Sequence, residues 1–258
     1  WPASSPWVTA VGATVVERKE AATAGALAGI DYSQGARSLL AATRQAFGLS
    51  SGLVRANVTE RAADASPTGG AEFSTGGGFS ERYPAPPWQR AAVEGYLAGG
   101  GRGAAAGFNR AGRAYPDVSI VGNQLLVVLG KRLYFVSGTS AATPIVAAIA
   151  ARVNLVRHAN GLPRLGSLNP TLYAHHGLSP NMTFTDVIDG ANRCPAPGGC
   201  HCAEGFAAAP GWDPVSGLGA LDAQALYEIA MHQPAYPPSL PPPAPPSPPP
   251  PPSPPPPP

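Results

Sequence analysis

From Ala141 to Ala151 the sequence reads "AATPIVAAIAA", with no charged side chain on any face of a helical projection. A helix of that composition is predicted to be buried all round, inside a layered α/β domain. Arg152 and Asn154 mark where it should emerge. The residues just before it, "VSGTS" (136–140), read as a tight approach and a helix entry. Gly138 permits the close turn, Ser140 precedes the helix, and Pro144 suits a first turn whose N–H groups lack intrahelical partners.

The neighbouring segments supply strands. "WVTAVGATVV" (7–16) is rich in Val and Thr and predicts a buried strand. "YPDVSIVG" (115–122) and "NQLLVVLG" (123–130) are strand-like, and "GKR" (130–132) is a turn into "LYFV" (133–136), which together predict a hairpin. "PPWQRAAVEGYLAGG" (86–100) predicts a short helix closed by Gly99, and "SLLAATRQAFGL" (38–49) a second amphipathic one. Strands alternating with helices around one apolar helix predict an α/β fold, a mainly parallel sheet with helices on both faces. The rest of about 20–70 reads as a surface insertion.

The 258 residues suffice for one sizeable core plus a tail. That tail is explicit: residues 234–258 hold 18 of the 33 prolines. It is expected to stay outside the fold as disordered, extended polyproline II, since proline cannot donate backbone hydrogen bonds. Its Ser-Pro runs resemble the extensin-like segments of secreted cell-wall proteins, which implies a possible wall association; a stiff linker fits equally. A formal charge of +2 with no basic stripe gives no case for nucleic acid. No uninterrupted run of 18 apolar residues exists, so no membrane span is expected. The chain opens at Trp1 without Met, as a processed product or a piece of a longer one would.

Ser140 carries the chemistry. A hydroxyl at a helix N-terminus gains from the positive end of the helix dipole, and free amides there can donate to an oxyanion. The same serine also serves as an ordinary cap. The wider string distinguishes the two. "SGTSAATP" resembles the serine motif of the sedolisins, the serine-carboxyl peptidases. "WPASSPWVTAVGAT" (1–14), "GGGFSERYPAPPWQ" (76–89), "RAYPDVS" (113–119), "FTDVIDGAN" (184–192) and "GWDPVSGLGALD" (211–222) are similar to further blocks of that family, in the same order. The resemblance covers most of residues 1–230, the C-terminal portion of the family's catalytic domain, with residues 231–258 as the tail. It implies a subtilisin-like fold, peptide-bond hydrolysis at acidic pH as a serine-type endopeptidase or tripeptidyl-peptidase, and Ser140 as nucleophile. It also implies a secreted or acidic lytic location and peptide or protein substrates.

The resemblance equally defines what to look for beside the serine. In the family the base is a Glu oriented by an Asp four residues later, and a further Asp, protonated, serves the oxyanion. All three precede the segment that here is residues 1–14, so the chain as given is expected to be inactive alone. "ERAAD" (60–64) has the Glu-x-x-x-Asp spacing that puts two carboxylates on one helical face. It lies on the wrong side of "VTAVGAT" and runs into a breaker, and solvated helices often show such spacing. Asp117 is expected to be structural, and Glu72 to precede the glycine turn. The five histidines all follow Ser140, with no subtilisin-type motif.

By the same resemblance a structural Ca²⁺ is held by the side chains of Asp186 and Asp213 and the carbonyls of Val187, Ala209 and Gly211. Calcium takes six to eight oxygens, which acids in Gly- and Pro-rich loops can offer. The family has Gly where Ala209 stands, so this carbonyl is allowed only if its backbone angles suit a side chain. Cys194, Cys200 and Cys202 admit one disulfide with one thiol left over, in three pairings, or a zinc site. "NVT" (57–59) and "NMT" (181–183) are glycosylation acceptors. Two other readings stay open. One is a non-catalytic, wall-associated scaffold; the other is a subtilisin-type enzyme with its Asp and His upstream.

Overall fold

Strand β1 (Val11–Arg18) is the β-branched run near the start of the chain, displaced a few residues from the predicted span. It pairs antiparallel with β2 (Val58–Ala62) and parallel with β5 (Val118–Val121). A computed structural model describes residues 2–18, 58–66, 70–99, 107–178, 184–193 and 204–232. The predicted helix at 38–49, the three cysteines, most of both glycosylation triplets and the Pro-rich tail lie outside them.

The main sheet has five strands, in the order β2-β1-β5-β9-β8, where β8 is Phe184–Thr185 and β9 is Ala220–Leu221. Its centre, β1-β5-β9, is parallel, and both edge strands run antiparallel. This is an α/β fold. The sheet reaches into the end of the stretch read as an insertion, because β2 is one of its edges. Two ribbons accompany it: β3 (Gly78–Pro84) with β4 (Gly112–Tyr115), and β6 (Leu125–Leu129) with β7 (Arg132–Val136). The β6-β7 hairpin forms as predicted. Its two turn residues, Gly130 and Lys131, both have positive φ (57° and 64°), the conformation whose twist matches paired strands.

Four helices pack close by among the described residues. After a single 3-10 turn at Pro87–Gln89, α1 (Arg90–Ala98) buries Val93 and Tyr96 and stops at Gly99. Helix α2 (Thr139–Ala159) lies against β1 and β5. Helix α3 (Leu168–Leu178) follows, and α4 (Ala223–His232) touches α2. The larger core cluster joins Phe79, Tyr96, Val118, Val146, Leu172 and Trp212, among others. A smaller one sets Ala142 of α2 on Ala13 and Val15 of β1.

Helix α2 corrects the prediction twice. It begins at Thr139 and runs to Ala159, well beyond Ala151. It is also not buried all round: Ala142, Val146, Val153 and Arg157 form the buried stripe, while Thr143, Pro144, Ala147, Ala148 and Ala151 are exposed and Leu155 is 66% exposed. One sheet can cover only one side of a helix. By length and mean hydropathy alone α2 passes the test for a membrane-crossing helix. In the fold its stripe rests on the sheet, and its buried Arg157 donates to the carbonyls of Pro163 (2.7 Å) and Ala230.

Candidate active site and loop centre

Ser140 sits in the first turn of α2, one residue inside the helix and not ahead of it. Gly138 is the residue at the helix boundary, with φ 140° and ψ 159°, and it offers no side-chain cap. Only glycine adopts that φ freely, which explains the Gly in "SGTS". The Gly138 N–H donates to Gly122 O (2.7 Å), tying the serine turn to the end of β5. The Gly138 carbonyl accepts from Ala141 and Ala142 (3.0 and 3.2 Å), so those two amides are engaged. The amides of Thr139 and Ser140 have no acceptor among the described residues. Ser140 is exposed, and its Oγ makes no hydrogen bond among the described residues. It is a serine cleared of capping duty.

No base reaches it from "ERAAD". Glu60, Arg61 and Ala62 are in strand β2, so the pair is not on a helix at all. Glu60 accepts from the Thr14 hydroxyl (2.5 Å). Asp64 is buried and accepts from the Ser66 and Ala191 amides (2.8 and 3.2 Å). Glu72 is exposed on a bend. The histidines whose side chains are described, His158, His175 and His176, lie in or after α2, and none of them hydrogen-bonds Ser140.

Behind the sheet lies a buried polar network that sequence reading caught only at Asp117. The Asp117 carboxylate accepts from Arg113 (2.6 Å), the Ala10 amide (2.7 Å) and the Tyr173 hydroxyl (3.0 Å). Gln89 donates to Tyr173 Oη (3.0 Å) and Ala114 O, and accepts from the Ala114 amide. Arg113 and Asp117 are wholly buried. Burial pushes the Asp117 carboxyl up, and the Arg113 guanidinium and the hydrogen bonds work against it. Burial likewise raises Tyr173. The i,i+4 spacing in "RAYPD" was the available signal; the contributions of Gln89 and Tyr173 had none.

The loop centre brings the predicted calcium residues together. Asp213 Oδ1 accepts from the Val215 and Ser216 amides (2.8 and 2.7 Å), and Oδ2 from the Ala209 amide (3.0 Å) and Ser216 Oγ (3.1 Å). Asp186 Oδ2 accepts from the Gly211 amide (3.0 Å). Two carboxylates thus hold one short loop, 209–213, from two sides. Val187 is buried, and its carbonyl accepts from Ser216 Oγ (3.4 Å). Gly211 has φ 79°, whereas Ala209 is not among the residues of positive φ, so an alanine is accommodated there. Desolvation pushes the Asp213 carboxyl up to about 7, and its hydrogen bonds from Ala209, Ser216 and Val215 work against it. A buried carboxylate beside a second acid and a loop of carbonyls is a donor set that fits a hard cation. No group of three His, Cys, Asp or Glu exists among the described residues, so carbonyls must complete any such site.

An exposed serine in the first turn of a helix on an α/β scaffold is an arrangement that serine-nucleophile hydrolases use. Comparison with known proteins narrows it. No family model matches the chain. Physarolisin from Physarum polycephalum is 32% identical over 220 residues, 85% of this chain and 34% of that protein. Tripeptidyl-peptidase sed1 from Aspergillus fumigatus is 39% identical over 176 residues, 63% of this chain and 26% of that protein. Tripeptidyl-peptidase 1 from Mus musculus is 37% identical over 171 residues, 62% of this chain and 28% of that protein. Among solved structures, Pseudomonas sedolisin, a serine-carboxyl proteinase in complex with two molecules of pseudo-iodotyrostatin, matches with a TM-score of 0.55 and 26% identity, over 88% of this chain and 47% of that chain. The chain belongs to the sedolisin family. It spans about a third or less of the length of these curated relatives.

Proposed function

We propose that this chain is the nucleophile-bearing portion of a serine-carboxyl peptidase. Ser140 Oγ attacks the carbonyl carbon of a peptide bond, and its proton passes to a carboxylate base supplied from outside residues 1–258. The single observation that carries this reading is the serine turn: an exposed hydroxyl, fixed by Gly138 and Gly122, with no partner among the described residues, beside two amides with no acceptor among them. Those amides suit the negative charge that develops on the carbonyl oxygen. A Glu–Asp base pair and a protonated Asp fit acidic operation, and the secreted and lytic settings of such enzymes fit it too. Tripeptide release from a free N-terminus is supported by the names of two of the relatives, and endopeptidase action by the proteinase structure.

In this reading Ca²⁺ is held by Asp186, Asp213 and the carbonyls of Val187, Ala209 and Gly211. When bound it supplies charge neutralisation for Asp213 and a fixed geometry for the 209–213 loop. The role is structural, because both acids already organise that loop.

The experiment is hydrolysis of an unstructured peptide at about pH 4, near the titration range of carboxylates. The 258-residue chain is expected to be inactive. The same chain joined to an upstream sedolisin segment carrying Glu-x-x-x-Asp and Ser-Gly-Asp is expected to turn over, and Ser140→Ala should abolish that turnover. Ser140-dependent activity of the chain alone would refute the external base. Ser140-independent activity of the joined chain would refute Ser140 as nucleophile.

A further inference from the structure

A cavity that Ser140 does not line lies between α1, α3 and the turn at Pro210–Trp212. Its volume is about 330 Å³. Four aromatic side chains, Trp88, Tyr96, Tyr173 and Trp212, wall it, and no Asp, Glu, Lys or Arg lines it. The walls are preorganised. Trp88 packs on Tyr173 with ring centroids 4.9 Å apart, and Tyr96 meets Trp212 edge-on at 5.9 Å. Trp212 is pinned by its indole N–H to Pro116 O (3.2 Å). Trp88 is only half-buried, and its indole N–H has no acceptor among the described residues. On the rim, Gly95 of α1 and Gly177 of α3 leave the floor open: a Cβ at either would meet nothing within 4 Å.

A polyproline II segment suits such a place. It carries no charge and few N–H groups, its carbonyls project outward for donors, and its stiffness keeps the ordering cost low. Aromatic walls with a free indole N–H are the complement used by proline-binding grooves generally. The chain contains such a segment, residues 234–258, which has no charged residue and begins just after α4 ends at His232. At about 3.1 Å per residue in polyproline II, the 26 residues after His232 reach ~80 Å. A globule of this size has a radius of gyration of about 17 Å, so reach imposes no limit.

The geometry points to the Trp88–Tyr96–Tyr173–Trp212 cavity as a docking site for the chain's own proline-rich segment, residues 234–258. This inference stands independently of any role for Ser140.

The test uses chains of all 258 residues. In one, every proline of 234–258 is replaced by serine, and a labelled peptide of residues 234–258 is titrated in by fluorescence anisotropy. Saturable binding with a Kd of about 100 μM, in the range of weak modular recognition, is expected. Gly95→Arg, on an exposed helix face with open space, should leave the circular dichroism and unfolding midpoint in place and weaken binding at least ~10-fold. Gly177→Arg should act in the same direction. The unaltered chain should bind the added peptide far more weakly, because its own segment competes at high effective concentration. No saturable binding, or binding unchanged by both glycine variants, overturns the site. Equal binding by the unaltered and proline-free chains overturns the occupant and leaves the groove to a proline-rich segment of another molecule.

Discussion

The loop centre and the serine turn are built to different degrees of completion. From Trp212 to Leu221 ten successive residues are buried by the chain's own atoms. In α2 only four of 21 residues are buried, and the hairpin beside it exposes Val128, Leu129 and Phe135 at 56, 69 and 59%. Both regions are apolar in sequence, so composition does not explain the contrast. The loop centre packs on β5 and β9 through contacts this chain supplies on both sides. The serine helix has a sheet beneath it and an open apolar face above. Among the described residues, the loop centre is enclosed on all sides, whereas the serine helix is covered on one side alone.

The largest effect that would break this contrast lies under the loop centre. Asp117→Ala leaves the Arg113 guanidinium buried without its carboxylate, a loss of about 3–5 kcal/mol for a broken buried pair. Asp117 also receives the Leu218 amide at its carbonyl (2.8 Å), so the damage should spread to 212–221. Urea unfolding would read it; a loss below about 1 kcal/mol would show that the centre does not depend on the pair.

Metal should come next. Added Ca²⁺ at a hundredfold excess over its dissociation constant stabilises by about 2.7 kcal/mol if only the folded state binds it. The sign of the pH effect follows from Asp213. Its folded carboxyl holds its proton up to about 7, above the unfolded value near 3.8, so the folded state binds more protons between those values. Without metal, stability should therefore fall as pH rises from about 4 through about 7 and level off above. Ca²⁺ should reverse that slope, and Asp213→Asn should remove the response to both. A flat thermal midpoint across that range, with and without Ca²⁺, would refute the assignment of Asp213.

The two faces of α2 offer the finest comparison. Val146→Ala, on the buried stripe, should cost about 2 kcal/mol from lost burial and the cavity left behind. Leu155→Ala, on the open face, should change stability by less than about 0.5 kcal/mol in this chain. In a longer chain that covers this face, Leu155→Ala should become costly. Equal costs for the two substitutions in the present chain would mean that the open face is already covered.

Much of this was readable in advance. Local signals identified the β6-β7 hairpin, the short helix closed by Gly99, the strand β1 and the helix after Ser140, because turn chemistry and side-chain periodicity act over a few residues. The ordered motifs were sufficient to place the chain among the sedolisins. The acids that the resemblance named, Asp186 and Asp213, come from two separate loops, and each accepts a backbone amide of 209–213.

What the sequence determined by itself was therefore the local elements, the family and the serine's place at a helix start. Tertiary structure alone decided three things. It made "ERAAD" a sheet edge, because β1 offered a pairing partner that outweighs helical spacing. It joined Gln89 and Tyr173 to Arg113 and Asp117 across as many as 84 residues of chain. And it left one side of α2 open, because hydrophobicity states that a face requires burial, while only the arrangement of distant segments determines whether anything lies against it.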